Sequence, residues 1–165
     1  MIIRQAQPDE LAQVAAIEHV VEDPRVAASI QTLQERQHLF PQGFLVAVED
    51  ATVVGYLESI RWLGSPFERF EEIRDYTRMH QDSGPILYLA YLAVQPDYRR
   101  RGIGAQLVNA ALNLGRTLGL EKVQLVSMPR LVPYYERLGF ERVRRLPAYL
   151  ENTSGELMEQ KLAAG

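Results

Sequence analysis

The chain has 165 residues, a formal net charge of −3, 47% hydrophobic and 24% charged residues, and no cysteine. This is the size and make-up of a single folded domain spanning residues 1–165, and it excludes a disordered chain. The acidic balance argues against a nucleic-acid binder, and the lack of cysteine removes disulfides, thiolate nucleophiles and cysteine metal sites. No run reaches the ~18 apolar residues of a membrane span and no basic-then-apolar leader opens the chain, so a cytoplasmic protein with no membrane partner is expected.

In chain order, Ile2–Arg4 reads as a short strand. Pro8, Asp9 and Glu10 suit the first turn of a helix, because proline fits its first position and carboxylates its positive end. Leu11, Val14, Ala15 and Ile17 give that helix an apolar face to about Val21. Glu22-Asp-Pro-Arg25 breaks the pattern, and a second helical stretch covers Ser29–Leu39, ended by Pro41 and Gly43. Phe44–Glu49 and Val53–Ile60 flank Asp50-Ala-Thr52 as an antiparallel hairpin. Gly55, inside the second strand, signals a bulge or a close backbone approach. Phe67, Phe70 and Ile73 suggest a short helix, and Gln81–Gly84 a loop.

Ile86–Val94 is an apolar run ending just before Pro96, which reads as a strand buried on both faces. Behind it come Arg99-Arg-Arg-Gly-Ile-Gly104 and then Ile103, Leu107, Ala111, Leu114 and Leu118 at helical spacing, with Gly119 as a cap. A helix N-terminus offers unpaired N–H groups and partial positive charge, and Gly102 and Gly104 let an anion approach the backbone. Strand, basic glycine turn and helix together form a pyrophosphate cradle, although an arginine run alone also fits a solvated face. A Walker loop would need Gly-Lys-Ser/Thr, and a dinucleotide fingerprint a third glycine where Leu107 stands; both are absent. Lys122–Ser127 is a further strand, Tyr134–Gly139 ends a short helix, and Phe140–Arg144 with Gly155–Leu162 close the sheet as a terminal pair. The order implies a mixed α/β sheet.

The string Arg99-x-x-Gly102-x-Gly104 behind a buried strand resembles the acetyl-coenzyme-A motif of the GNAT superfamily of N-acetyltransferases. Tyr134-Tyr-Glu-Arg-Leu-Gly-Phe140 is similar to the second signature of that family, Tyr-x-x-x-Gly-Phe, at the family's spacing. The resemblance implies an α/β GNAT fold: a mixed, mostly antiparallel sheet with a central splay between two parallel strands, flanked by helices. It implies that backbone groups of Leu92, Ala93 and Val94 pair with the pantetheine arm of acetyl-CoA as an added strand. Main-chain N–H groups of Arg100, Arg101, Gly102, Ile103, Gly104 and Ala105 would receive the pyrophosphate. Arg99 would act at long range or toward the adenosine phosphate, and Ser127 would line the far wall of the splayed cleft.

Acetyl transfer from a thioester to an amine requires a held co-substrate, a neutral amine, a donor for the oxyanion and a proton for the departing thiolate. The resemblance puts the proton donor on Tyr135; a core aromatic on the Leu131/Tyr135/Leu138 face is the competing reading. Leu131-Val-Pro before the aromatic pair, with Met79-His80 and the loop to Gly84, resembles the arylalkylamine N-acetyltransferase branch. Where that branch carries a relay of two histidines, this chain has Tyr88 and Ala90, so its deprotonation route does not transfer. Tyr88 is then a candidate to order a water, and Glu58 on the neighbouring strand a candidate base. Met128 replaces an asparagine common in the family, and Pro133 shortens the helix it stands in. His19, His38 and His80 lack metal-ligand spacing and are expected at the surface; no metal is expected.

The resemblance places the acceptor wall at Val20–Ile30 and Ile60–Asp82, where Trp62, Phe67, Phe70 and Tyr76 stand beside Glu68, Glu71, Glu72 and Asp75, a pattern that one face of an ordinary amphipathic helix explains equally well. Aromatic walls with carboxylates suit a cationic or aromatic amine. The expected function is direct attack of a primary amine on acetyl-CoA in a ternary complex, the acceptor being an arylalkylamine or other small amine. A protein N-terminus or lysine as acceptor, and a non-catalytic acyl-CoA sensor, stay open. Gly155–Leu162 is a candidate edge for a homodimer.

Overall fold

The computed structural model describes residues 1–22, 27–64 and 66–163, without the side chain of Tyr76. Most of the sequence break at Glu22–Arg25 therefore lies outside the described residues. Seven strands form one mostly antiparallel sheet in the order β1-β2-β3-β4-β5-β7-β6. They are β1 (Ile2–Gln5), β2 (Phe44–Glu49), β3 (Thr52–Trp62), β4 (Ile86–Val94), β5 (Lys122–Ser127), β6 (Glu141–Leu150) and β7 (Thr153–Lys161). The helices are α1 (Leu11–Val21), α2 (Ile30–Leu39), α3 (Phe70–Ile73), α4 (Ile103–Thr117) and α5 (Val132–Arg137). Among the described residues no helix is long and apolar enough to cross a membrane.

The chain divides into two compact units, residues 1–59 with 91–114 and residues 60–90 with 115–165. In the first, Leu11, Val14, Ala15 and Ile17 of α1 join Leu33 of α2 against Val46, Tyr56 and Ala93. Ser29 caps α2 by accepting the Thr32 N–H at 3.1 Å. Gly55 combines both readings of its position. The β2–β3 register slips between Ala47 and Val48, opposite it, and a Cβ there would stand 3.1 Å from the Ala93 carbonyl oxygen and 3.3 Å from Leu107. A side chain there would push β4 or α4 back by a few tenths of an ångström, so glycine suits this close approach.

In the second unit, β4 and β5 are parallel, pairing Ile86–Tyr88 with Lys122–Gln124. Both strands run on, to Val94 and Ser127, and among the described residues this pairing goes no further. The terminal hairpin corrects one expectation. Gly155–Leu162 is not a free edge, because β7 pairs with β5 on one side and β6 on the other. Its inward residues Leu157 and Met158 are buried, and such a strand is stabilised by neighbours on both sides. The edge falls to β6, which reaches Leu150 and contains Pro147, a residue compatible with an unpaired side.

Two further expectations change in this unit. Trp62 and Phe67, read as part of an acceptor wall, are buried at 1% and 4% exposure. Their rings lie 4.4 and 6.4 Å from Tyr88, and Phe67 lies 6.3 Å from Tyr149, so they form a core cluster. His80 is not at the surface: its side chain is 3% exposed. Its Nδ1 accepts the Arg61 N–H at 3.1 Å, and its Nε2 is 2.9 Å from Asp82. A loop packed on the end of β3 needs an acceptor for that N–H, which periodicity does not disclose.

At the start of the chain, Glu10 closes a capping box. Its Oε2 accepts the Gln7 N–H at 2.9 Å, and Arg4 donates to both carboxylate oxygens at 3.0 and 2.5 Å. The Arg4 hydrogen bond is the main cause holding the Glu10 carboxyl below the usual carboxylate range. A carboxyl lowered on folding adds stability above its unfolded value, near 4.5, and loses it as pH falls through the folded value. Arg4 is a third exposed, so solvent screening limits the effect. Glu10→Gln should therefore lose about 1 kcal/mol less stability than the parent between pH 7 and pH 3, as read by urea unfolding at the two pH values.

Candidate active site

Behind β4, a 3₁₀ turn at Pro96–Tyr98 carries the chain into the glycine turn. The turn is fastened to β3 because Gln95 donates its backbone N–H to the Val54 carbonyl and its side-chain amide to the Val53 carbonyl, each at 2.8 Å. Arg100 and Gly102 have φ of +65° and +74°. Left-handed backbone at two places one residue apart is the kind of conformation from which anion nests of successive N–H groups are built. The first helical bond of α4 runs from the Gln106 N–H to the Gly102 carbonyl at 3.0 Å. The N–H groups of Ile103, Gly104 and Ala105, in the first turn, therefore have no acceptor within the helix.

A Cβ built on Gly102 meets nothing within 4 Å, so the ground in front of this backbone is open. The three arginines are exposed. Arg101 leans over the Tyr98 ring at 5.0 Å and toward Glu49 at 3.5 Å, so its guanidinium is already engaged. Leu92 and Val94 are half-buried and Ala93 is buried on β4. An exposed nest behind a strand fits a pyrophosphate with an extended arm, the shape of coenzyme A.

Tyr135 stands on α5, whose C-terminal end is closed by its own carbonyl accepting the N–H groups of Leu138 and Phe140, both at 3.0 Å. Its ring meets those of Tyr134 and Phe140 edge-on, at 5.1 and 6.0 Å. Burial, with a smaller contribution from Tyr134, pushes its phenol up to about 12. The ring packs, as the core-aromatic reading expects, and the raised phenol stays protonated at neutral pH.

The remaining sequence candidates are more committed. Ser127 is buried and its Oγ donates to the Met128 carbonyl at 2.8 Å. Tyr88 is 3% exposed within the aromatic cluster. Glu58 is 1% exposed, with both carboxylate oxygens 3.3–3.5 Å from Nη1 of Arg36. Arg36 was not singled out from the sequence, because a basic residue near a helix C-terminus ordinarily reads as solvated. Glu18 was also missed, although its place four residues after Val14 puts a carboxylate on the buried stripe of α1.

Comparison with known proteins agrees with this geometry. The chain is 26% identical over 154 residues to an N-alpha-acetyltransferase of Saccharolobus solfataricus, covering 89% of this chain and 84% of that protein. It is 30% identical over 112 residues to the serotonin N-acetyltransferase of Macaca mulatta, covering 66% of this chain and 52% of that one. Overall it spans about half the length of the first curated relatives it matches. The loading GNATL domain of CurA from Lyngbya majuscula superposes with a TM-score of 0.84 at 19% identity, covering 98% of this chain and 97% of that one, which speaks for the fold. The pattern defining the acetyltransferase (GNAT) family matches residues 11–140, from α1 through Phe140, and so takes in both the glycine turn and the tyrosine motif. This chain belongs to the acetyltransferase (GNAT) family.

Proposed function

We propose that the protein transfers an acetyl group from acetyl-CoA to a primary amine by direct attack, both substrates being bound together. The observation that carries this reading is the open, left-handed nest at Arg100–Gly102 leading into α4. In it, N–H groups from Arg100 through Ala105 bind the pyrophosphate, and the backbone of Leu92–Val94 pairs with the pantetheine arm. Arg99 adds favourable charge toward the adenosine phosphate, and Tyr135 returns a proton to the thiolate. Of the residues first considered for the amine's proton, Glu58 is engaged by Arg36 and Tyr88 is enclosed, which weakens both for that task. A small arylalkylamine is the first acceptor proposed, on the Leu131–Phe140 motif and the serotonin N-acetyltransferase likeness. A protein N-terminus is the second, supported by the longer match to an archaeal N-alpha-acetyltransferase.

A ligand that binds only the native state must raise its melting temperature. Acetyl-CoA should therefore stabilise the protein, and Gly104→Val, which puts bulk on the first turn of α4, should abolish the shift. An undiminished shift in a folded Gly104→Val variant would remove the assignment of the cradle. Coenzyme A release measured across arylalkylamines, polyamines, amino acids and peptides then identifies the acceptor. A shift without release for any amine would make the protein an acyl-CoA sensor.

A further inference from the structure

Among the described residues, the first unit buries the carboxylates of Glu10, Glu18 and Glu58. Glu18 of α1 is 0% exposed. Its Oε1 accepts the Ala28 N–H at 3.1 Å, a tie across the α1–α2 connection, while its Oε2 has no hydrogen-bond partner among the described residues. On β3, Tyr56 is also 0% exposed and its hydroxyl likewise has no partner among the described residues. Glu58 lies two residues along the same face of β3, ion-paired with Arg36, whose guanidinium sits 5.1 Å over the Tyr91 ring. Tyr91, next to Leu92 on β4, packs against the same cluster. Burial first, then Glu58, Glu18 and Glu22, push the Tyr56 phenol far above its ordinary range, so its hydroxyl lies in the field of three carboxylates. Burial also raises the carboxyls of Glu18 and Glu22. Arg36, already facing Glu58, is the principal positive group acting on Glu18, with a smaller contribution from His19.

Buried polar atoms without partners are uncommon, and each costs free energy that folding does not recover. Two of them, a carboxylate oxygen and a phenol, stand here in a negative field. A carboxylate oxygen only accepts, and a phenol oxygen can accept as well, so an N–H donor suits both, and a cationic one also offsets the carboxylate charge. A primary ammonium supplies three such hydrogens. Glu22 and Tyr91 are half-buried and bring the cluster to the surface.

We propose that the Glu18 carboxylate, together with the Tyr56 hydroxyl, holds the ammonium group of the acceptor beside the strand that carries the pantetheine arm. This rests on the acetyl-transfer reading above. The bound pair also has a route to the neutral amine that attack requires. One N–H bond of the ammonium breaks, its proton forms an O–H bond on Glu18 Oε2, and the nitrogen keeps the electron pair. Burial disfavours both charges and so favours this transfer.

The test is titration calorimetry of the free protein with 2-phenylethylamine, putrescine and a peptide with a free N-terminus, and with 2-phenylethanol as the uncharged control. The parent should bind at least one amine and not the alcohol. Glu18→Gln, which keeps an acceptor for Ala28, and Tyr56→Phe should each weaken amine binding by roughly tenfold or more. Both variants should retain the full melting-temperature shift with acetyl-CoA. Binding of no amine by the parent, equal binding of the alcohol, or unchanged amine affinity in both variants would overturn the proposal. Lower thermal stability with unchanged affinity would overturn it too, leaving Glu18 as only a tie between helices. Amine binding that responds to both variants, in a protein that acetyl-CoA does not stabilise, would support this site while refuting the acetyl-transfer reading.

Discussion

Tyr135→Phe is expected to lower turnover by roughly 10²–10⁴-fold, the span of a positioned proton donor, with the melting temperature and the acetyl-CoA shift nearly unchanged. The substitution removes one hydroxyl and leaves the ring that meets Tyr134 and Phe140. A phenol at about 12 lies roughly 3.5 units above an unperturbed thiol near ~8.5, so proton transfer to a solvated thiolate costs about 5 kcal/mol. The same burial that raises the phenol raises the basicity of a thiolate beside it, which narrows that gap. A phenol with so high a value stays loaded well above neutrality. The rate should therefore climb with pH as the amine loses its proton, with no loss of proton donor before about pH 11. Tyr134→Phe is the control and should leave turnover nearly intact, since the spacing to Gly139-Phe140 singles out Tyr135. Full activity in both variants would assign the proton to solvent, and a dead Tyr134→Phe with an active Tyr135→Phe would shift the motif by one residue.

The largest stability effect is expected at Arg36. Its guanidinium faces Glu58 with the two side chains 10% and 2% exposed. Removing one member of a buried ion pair strands the other charge, at a cost of about 3–5 kcal/mol. Arg36→Met keeps an apolar stem but loses the guanidinium that faces Glu58 and covers the Tyr91 ring, and should lower the melting temperature by roughly 10 °C. Replacing both members, Arg36→Met with Glu58→Leu, should restore part of the loss, because Glu58 is no longer stranded although Glu18 still lacks the positive field of Arg36. Thermal unfolding of the single and double variants measures this directly. A single variant within a degree or two of the parent would mean that solvent reaches the pair.

The course of the backbone was largely legible in the residues. The apolar run Ile86–Val94, the glycine turn and the helical spacing from Ile103 each rest on local rules: burial on both faces, left-handed backbone at glycine, and a 3.6-residue period. β4 and α4 accordingly stand where they were expected. The end of the chain was less legible. Phe140–Arg144 reads as a strand from its own residues, but its extension to Leu150 and its place at the edge depend on β7, which pairs on both sides.

The same division holds for the candidate site. Gly102, Gly104 and Tyr135 are recognisable alone, because a nest and a motif are short-range patterns. The Glu18, Tyr56, Glu58, Arg36 and Tyr91 cluster draws on two helices and two strands. Whether a glutamate is solvated, paired or left with an orphan oxygen depends on what other elements bring to it. His80 and Trp62 make the point from the other side: both read as exposed or lining residues, and both are enclosed once the loop and β3 meet. By itself the sequence determined the order of elements and the glycine turn between β4 and α4, which neighbours along the chain suffice to define. The tertiary structure alone decided which strand lies at the edge and which charges are buried, because burial and pairing are properties of contacts between distant residues.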